Sequence, residues 1–142
     1  MKKTKFKIHL LKLVRIFITY LILFFIFSCD DTITEDDIDN IIIPSNNVSY
    51  IEYIQPVFNI KCTTCHDGQS NETNLDLTTW AGVRADASIV VPYYPQNSKL
   101  VWSIERVTGY LPMPPLNAPV RPLTVNQIEG IKTWITEGAQ YN

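Results

Sequence analysis

The sequence predicts a small all-α domain behind an N-terminal targeting segment. Three observations carry this. Apolar residues recur at helical spacing over Ile51–Phe58, Leu100–Val107 and Ile128–Ile135. Each of these runs follows a capping residue, and two of them open on a capping box: Ser49 with Glu52, and Thr124 with Gln127. Finally, 114 of the 142 residues remain after a 28-residue leader, enough for one domain. We divide the chain into a signal peptide (1–28), an acidic tether (29–48) and a folded domain (49–142).

Taken in order, the leader begins with a basic stretch: Lys2, Lys3, Lys5, Lys7, Lys12 and Arg15, with no acid before residue 29. Ile16 to Phe27 is almost wholly apolar, broken by Thr19 and Tyr20. This length is short for a membrane span and suits the apolar region of a signal peptide. It ends in Ile26-Phe27-Ser28-Cys29, which resembles a bacterial lipobox. A match of that kind implies cleavage before Cys29 and lipidation of its thiol, hence a lipid anchor in a membrane of the cell envelope, outside the cytoplasm. The alternative is an uncleaved anchor ending in an incidental cysteine.

Residues 29–142 carry six Lys/Arg against 14 Asp/Glu, a net charge of −8, and six of these acids lie between Asp30 and Asp39. Such a run reads as a solvated tether. Ile41–Ile43 is the exception, apolar enough to dock on the domain. From Val48 onward the charges nearly balance, and nothing suggests a nucleic-acid footprint.

Within the domain, Pro56 should kink or divide the first helix. Asp67–Asn71 is a loop, and Thr78 or Thr79 caps a short helix through Trp80 and Val83. Ile89–Pro92 is extended. Asn97 or Ser98 caps a helix that should run through Val107 and stop near Gly109. The last helix ends at Gly138. Gly130 inside it costs about 1 kcal/mol against Ala, which implies close approach of another helix, with Phe58 or Tyr53 as the expected contact. Trp80 and Trp102 either wall a cofactor or are plain core.

Two stretches carry chemistry. Cys62-Thr63-Thr64-Cys65-His66 reads C-x-x-C-H, the attachment pattern of a c-type haem. Two thiols at this spacing add to the two vinyl groups of one porphyrin, and the adjacent imidazole is a strong iron ligand. The competing readings are a redox dithiol, which would sit near a βαβ pattern, and half of a zinc site, which usually needs four ligands. The chain has only three cysteines and two histidines, one of each in the leader and its lipobox, and the cysteine count favours lipidation: Cys29 takes the lipid, Cys62 and Cys65 take the haem, and no thiol is left over. The second stretch is Leu111-Pro112-Met113-Pro114-Pro115, whose prolines make a stiff extended loop. After leader cleavage Met113 is the one methionine and His66 the one histidine, so they are the leading pair of axial ligands. A lone Met is otherwise a gap-filler. One C-x-x-C-H means one haem.

These stretches occur in order with Ile54-Gln55-Pro56-Val57-Phe58, Leu75-Asp76-Leu77, Ser98-Lys99-Leu100 and Trp134-Ile135-Thr136-Glu137-Gly138-Ala139. Together they resemble the small cytochrome c domains of planctomycete and Bacteroidetes lipoproteins, over nearly all of residues 49–142. The resemblance implies the cytochrome c fold: a few helices around one covalently bound haem c, the first and last helices crossed. It also implies Cys62 and Cys65 as thioether residues, His66 as proximal ligand and Met113 as distal ligand. The expected function is that of a membrane-anchored one-electron carrier, not an enzyme, meeting redox partner proteins transiently at the haem edge. The alternative is a peroxidase-like enzyme or gas sensor with a displaceable Met113, for which no second histidine remains as acid or base. A third reading makes haem a structural staple.

Overall fold

The computed structural model describes residues 12–19, 32–69 and 74–142. Residues 12–19 are helical and exposed, in a unit separate from the compact unit Ile33–Asn142. No described helix is long and apolar enough to cross a membrane. Cys29 lies outside the described residues.

The compact unit is helical, with no strand among the described residues and a single isolated bridge between Asp67 and Asp76. Its elements are α1 (Glu35–Asn40), a π-helical turn (Tyr50–Ile54) running into α2 (Gln55–Lys61), α3 (Trp80–Val83), a 3-10 turn (Pro95–Asn97), α4 (Lys99–Ile104) and α5 (Val125–Thr136). The change from π to α falls between Ile54 and Gln55, just before Pro56, whose missing N–H cannot continue the hydrogen-bond ladder. Ser49 caps the π turn by accepting from the Glu52 N–H. The last residue takes two further N–H groups of that helix end: Asn142 accepts from Tyr50 through Oδ1 and from Ile51 through its backbone carbonyl. The capping box at Thr124 and Gln127 forms in full.

The core sits where the π turn, α2 and α5 meet. Tyr50 and Trp134 have ring centroids 5.3 Å apart, and Phe58 meets Trp134 edge-on at 6.5 Å. Ile54, Val57, Ile131 and Ile135 fill the remaining space.

Two expectations need correction. The helix expected to reach Val107 stops at Ile104, because Arg106 takes a positive φ of 58° and Val107 is exposed. More consequentially, the acidic segment is not a solvated tether from Ile33 onward. Thr34 caps α1 with a complete capping box closed by Asp37, and Ile38, Ile43 and Val48 are buried in the core. Hydrogen bonds hold the rest of the segment. Asn126 and Ile43 exchange a pair, Gln127 donates to the Ile38 carbonyl, and the Glu137 carboxylate accepts from Asn47 and Val48. We call residues 33–48 the strap.

The strap also corrects the Gly130 expectation. A Cβ at Gly130 would lie 2.6 Å from Cγ2 and 2.9 Å from Cβ of Ile43, so the close approach is to the strap and not to Phe58 or Tyr53. Gly130→Ala should gain about 1 kcal/mol of helix propensity and lose about 1–3 kcal/mol to overpacking against Ile43. The overpacking should win, because Ile43 is buried and its Cβ, not only its tip, is in the way. The expected result is a lower urea midpoint with faster hydrogen exchange at Ile43.

Candidate functional site

The end of α2 turns straight into the C-x-x-C-H motif. Cys62 caps α2, donating to the Phe58 carbonyl at 2.9 Å, and its own carbonyl accepts from Cys65 at 3.1 Å and His66 at 2.9 Å. Thr63 adds a side-chain bond to the Asn59 carbonyl. The motif is therefore wound as a continuation of the helix, which holds the thiols and the imidazole in a fixed relation. On the far side the His66 carbonyl accepts from Leu77 at 2.9 Å, beside the Asp67–Asp76 bridge. The short Leu75-Asp76-Leu77 segment thus ties down the backbone after His66.

The second stretch joins the first across a cleft. Met113 donates its backbone N–H to the Ser103 carbonyl at 3.0 Å, which fixes the Pro-rich loop to α4, and the Met113–Pro114 peptide bond is cis. Cys62, Cys65, His66 and Met113 all line this one cleft. The other walls are mostly apolar: Leu75, Leu77, Ile89, Leu100 and Ile104, with Pro114, Pro115, Ala118, Pro119, Val120 and Leu123 from the loop. The space, counting its open mouth, is about 1040 Å³, the scale of a cofactor site. Residues 49 apart in sequence, Met113 and Thr64, share it only because α4 and the loop fold back.

Electrostatics narrow the chemistry. Burial pushes the Cys62 thiol up to about 12, so it is a protonated thiol at neutral pH and unlike the activated thiolate of a redox dithiol. His66 is buried, and burial lowers its pKa, which favours the neutral imidazole that metal binding requires. The donors around the cleft are thus two thiols, one neutral imidazole and one thioether in an apolar enclosure. That set fits a covalently held haem: the thiols would form the thioether links, His66 and Met113 would offer axial donors, and aliphatic walls would cover the macrocycle.

Residues 62–117 match the family model of planctomycete cytochrome C. The match supports a small c-type cytochrome domain. The match begins on the first cysteine of the motif and runs past Met113, so it spans both stretches that build the cleft. No curated protein and no solved structure matches the chain.

Two aromatic residues fall away from the cleft. Trp80 packs on Tyr141 and donates to the Ala139 carbonyl, and Trp102 packs on Tyr110 and donates to the Gln96 carbonyl. Neither lines the cleft, which is aliphatic and proline-rich.

The residue that sequence reasoning passed over is Lys61. Its side chain is fully buried beside the cleft, with Nζ 2.5 Å from Glu35 and 2.9 Å from Asp39 of α1. Both partners come from the acidic run, and the available signal was a lysine just before the motif with no acid of its own at helical spacing. The hydrogen bond from Lys61 holds the Glu35 carboxyl below its usual range. Burial pushes Asp39 up, but hydrogen bonds from Lys61 and Gln127 outweigh this and leave it lowered. Both folded values lie below the unfolded ones, so the stabilisation is complete above the ordinary carboxylate range and is lost as pH falls through the depressed values. Acid titration should therefore loosen the strap as pH falls below the ordinary carboxylate range, seen as faster hydrogen exchange over 35–43, while neutral and mildly alkaline pH leave it docked.

Proposed function

We propose that this protein is a monohaem, one-electron carrier with His66 and Met113 as axial ligands. The observation that carries the reading is the convergence of Cys62, Cys65, His66 and Met113 on one apolar cleft. Bound haem supplies a single iron that gains and loses one electron. The chain does the rest. Cys62 and Cys65 fix the macrocycle, and the turn after α2 orients His66. The Ser103 carbonyl anchors Met113, and the aliphatic walls keep water out and favour a raised potential. The first and last helices then cross about the Tyr50, Phe58 and Trp134 cluster, as in the cytochrome c fold.

The proposed setting is the cell envelope, with a lipid on Cys29 and redox partner proteins meeting the haem edge transiently. Only Asp30, Asp31 and Thr32 separate Cys29 from the docked strap in sequence, fewer than the tether expected over residues 29–48. The reading is tested by electrode voltammetry of the haem-loaded protein together with carbon monoxide binding. Fast, reversible one-electron cycling with slow carbon monoxide binding is expected. Rapid carbon monoxide binding to the native protein would favour a sensor or peroxidase-like enzyme, and sluggish cycling would favour haem as a structural staple.

A further inference from the structure

One oxygen of the strap touches both flanks of the cleft. Glu35 Oε1 accepts from Lys61 Nζ at 2.5 Å and from the Arg121 backbone N–H at 2.6 Å. Lys61 directly precedes Cys62, on the side that carries the thiols and His66. Arg121 lies eight residues after Met113, between Val120 and Leu123, which both line the cleft. The neighbouring acids repeat the bridge: Asp39 pairs with Lys61 and with Arg121 Nη2, each at 2.9 Å, and Asp36 pairs with Arg121 at 2.6 Å.

The loop that carries Met113 is thus pinned at two points. One is the Met113 N–H on the Ser103 carbonyl, and the other is Arg121 on Glu35. Between them lie Pro114, Pro115 and Pro119, which remove backbone freedom, so a displacement at Arg121 is passed along the loop and not absorbed by it. Docking of the strap itself rests on Ile38 and Ile43 in the core, so α1 is a rigid bridge and not a loose tail.

We propose that Glu35 is a positioning residue that clasps the Met113 loop over the cleft, so that strap docking governs whether the distal side is closed. The proposal rests on the His66/Met113 reading. When the strap is docked, the thioether is held and exogenous ligands are excluded. When Glu35 lets go of Arg121, the loop loosens and the distal side opens. The acidic segment next to the membrane anchor would then be a switch between electron carriage and ligand binding.

The test uses the full-length, haem-loaded protein and compares wild type with Glu35→Ala, Glu35→Gln and Thr79→Ala. The last removes the cap of α3, away from the strap, and controls for general destabilisation. Glu35→Ala should speed carbon monoxide binding to the reduced protein about tenfold or more, the population shift expected from losing one charge-assisted hydrogen bond. It should also raise the high-spin fraction of the oxidised spectrum and speed hydrogen exchange at the Arg121 amide. Glu35→Gln keeps an acceptor for that amide but loses the charge that faces Lys61, so it should fall between wild type and Glu35→Ala, whereas Thr79→Ala should stay near wild type. A low-spin wild type whose Glu35→Ala variant exchanges faster at Arg121 but keeps its spectrum and carbon monoxide rate would overturn the clasp alone. Unchanged exchange at Arg121 would overturn it too, by showing that Glu35 does not hold the loop. A wild type that is already high-spin would overturn the ligation reading, and the clasp with it.

Discussion

Met113→Ala should convert a closed, low-spin haem protein into an open one that binds carbon monoxide quickly and has a much lower reduction potential. The cause is local. Apart from Met1, Met113 is the one methionine of the sequence, it lines the cleft with His66, and no other histidine lies among the described residues to replace it. Removing the thioether removes a ligand that favours the reduced iron, so the potential should fall. The fall should be on the order of 0.1 V or more, within the roughly 0.8 V span that axial ligation covers. The fold should survive, because the Met113 backbone bond to Ser103 does not involve the side chain. Optical redox titration and stopped-flow carbon monoxide mixing measure both effects. Unchanged values in the variant would mean that Met113 is only a wall of the cleft.

Replacing both thiols, Cys62→Ser with Cys65→Ser, should abolish covalent haem and leave a less stable domain. Of the aliphatic walls of the cleft, Leu77, Leu100 and Ile104 are buried by the protein itself, while Leu75 and Ile89 are half-buried and would be covered only by a cofactor free to leave. Full burial of one such side chain contributes about 1.5–3 kcal/mol, so losing a third of the burial of these two costs about 1–2 kcal/mol. For a domain of this size that lowers Tm by about 5–10 °C. A denaturing gel stained for haem gives the first result and a thermal melt the second. Retention of covalent haem by the double variant would place the attachment elsewhere.

The site was legible in the sequence where its determinants are local. C-x-x-C-H is five consecutive residues, and the geometry that winds it onto α2 involves hydrogen bonds reaching no further back than Phe58. The caps at Ser49, Thr79, Ser98 and Thr124 were likewise readable from a few residues each. Ser98 shows the limit of this. Its hydroxyl is spent on the Val91 N–H and the Tyr94 carbonyl, so it starts α4 by position without capping it by hydrogen bond.

The strap was illegible because its reasons are distant. Six acids in ten residues look solvated, yet Glu35 and Asp39 face Lys61, while Asp36 and Asp39 meet Arg121 more than eighty residues on. Its buried anchors, Ile38, Ile43 and Val48, are spaced five residues apart and share neither the helical nor the strand period. At Gly130 the sequence implies a close backbone approach, but spacing alone does not name Ile43 as the neighbour. Trp80 and Trp102 had the composition of cofactor walls, but their indole N–H groups find carbonyls outside the cleft.

The central claim is tested most directly by the absorbance spectrum of the full-length protein, oxidised and reduced, purified from a host that attaches c-type haem. One covalent haem, low-spin in both states, is the expected result. A high-spin oxidised spectrum would take Met113 off the iron, and a protein without covalent haem would contradict the account as a whole.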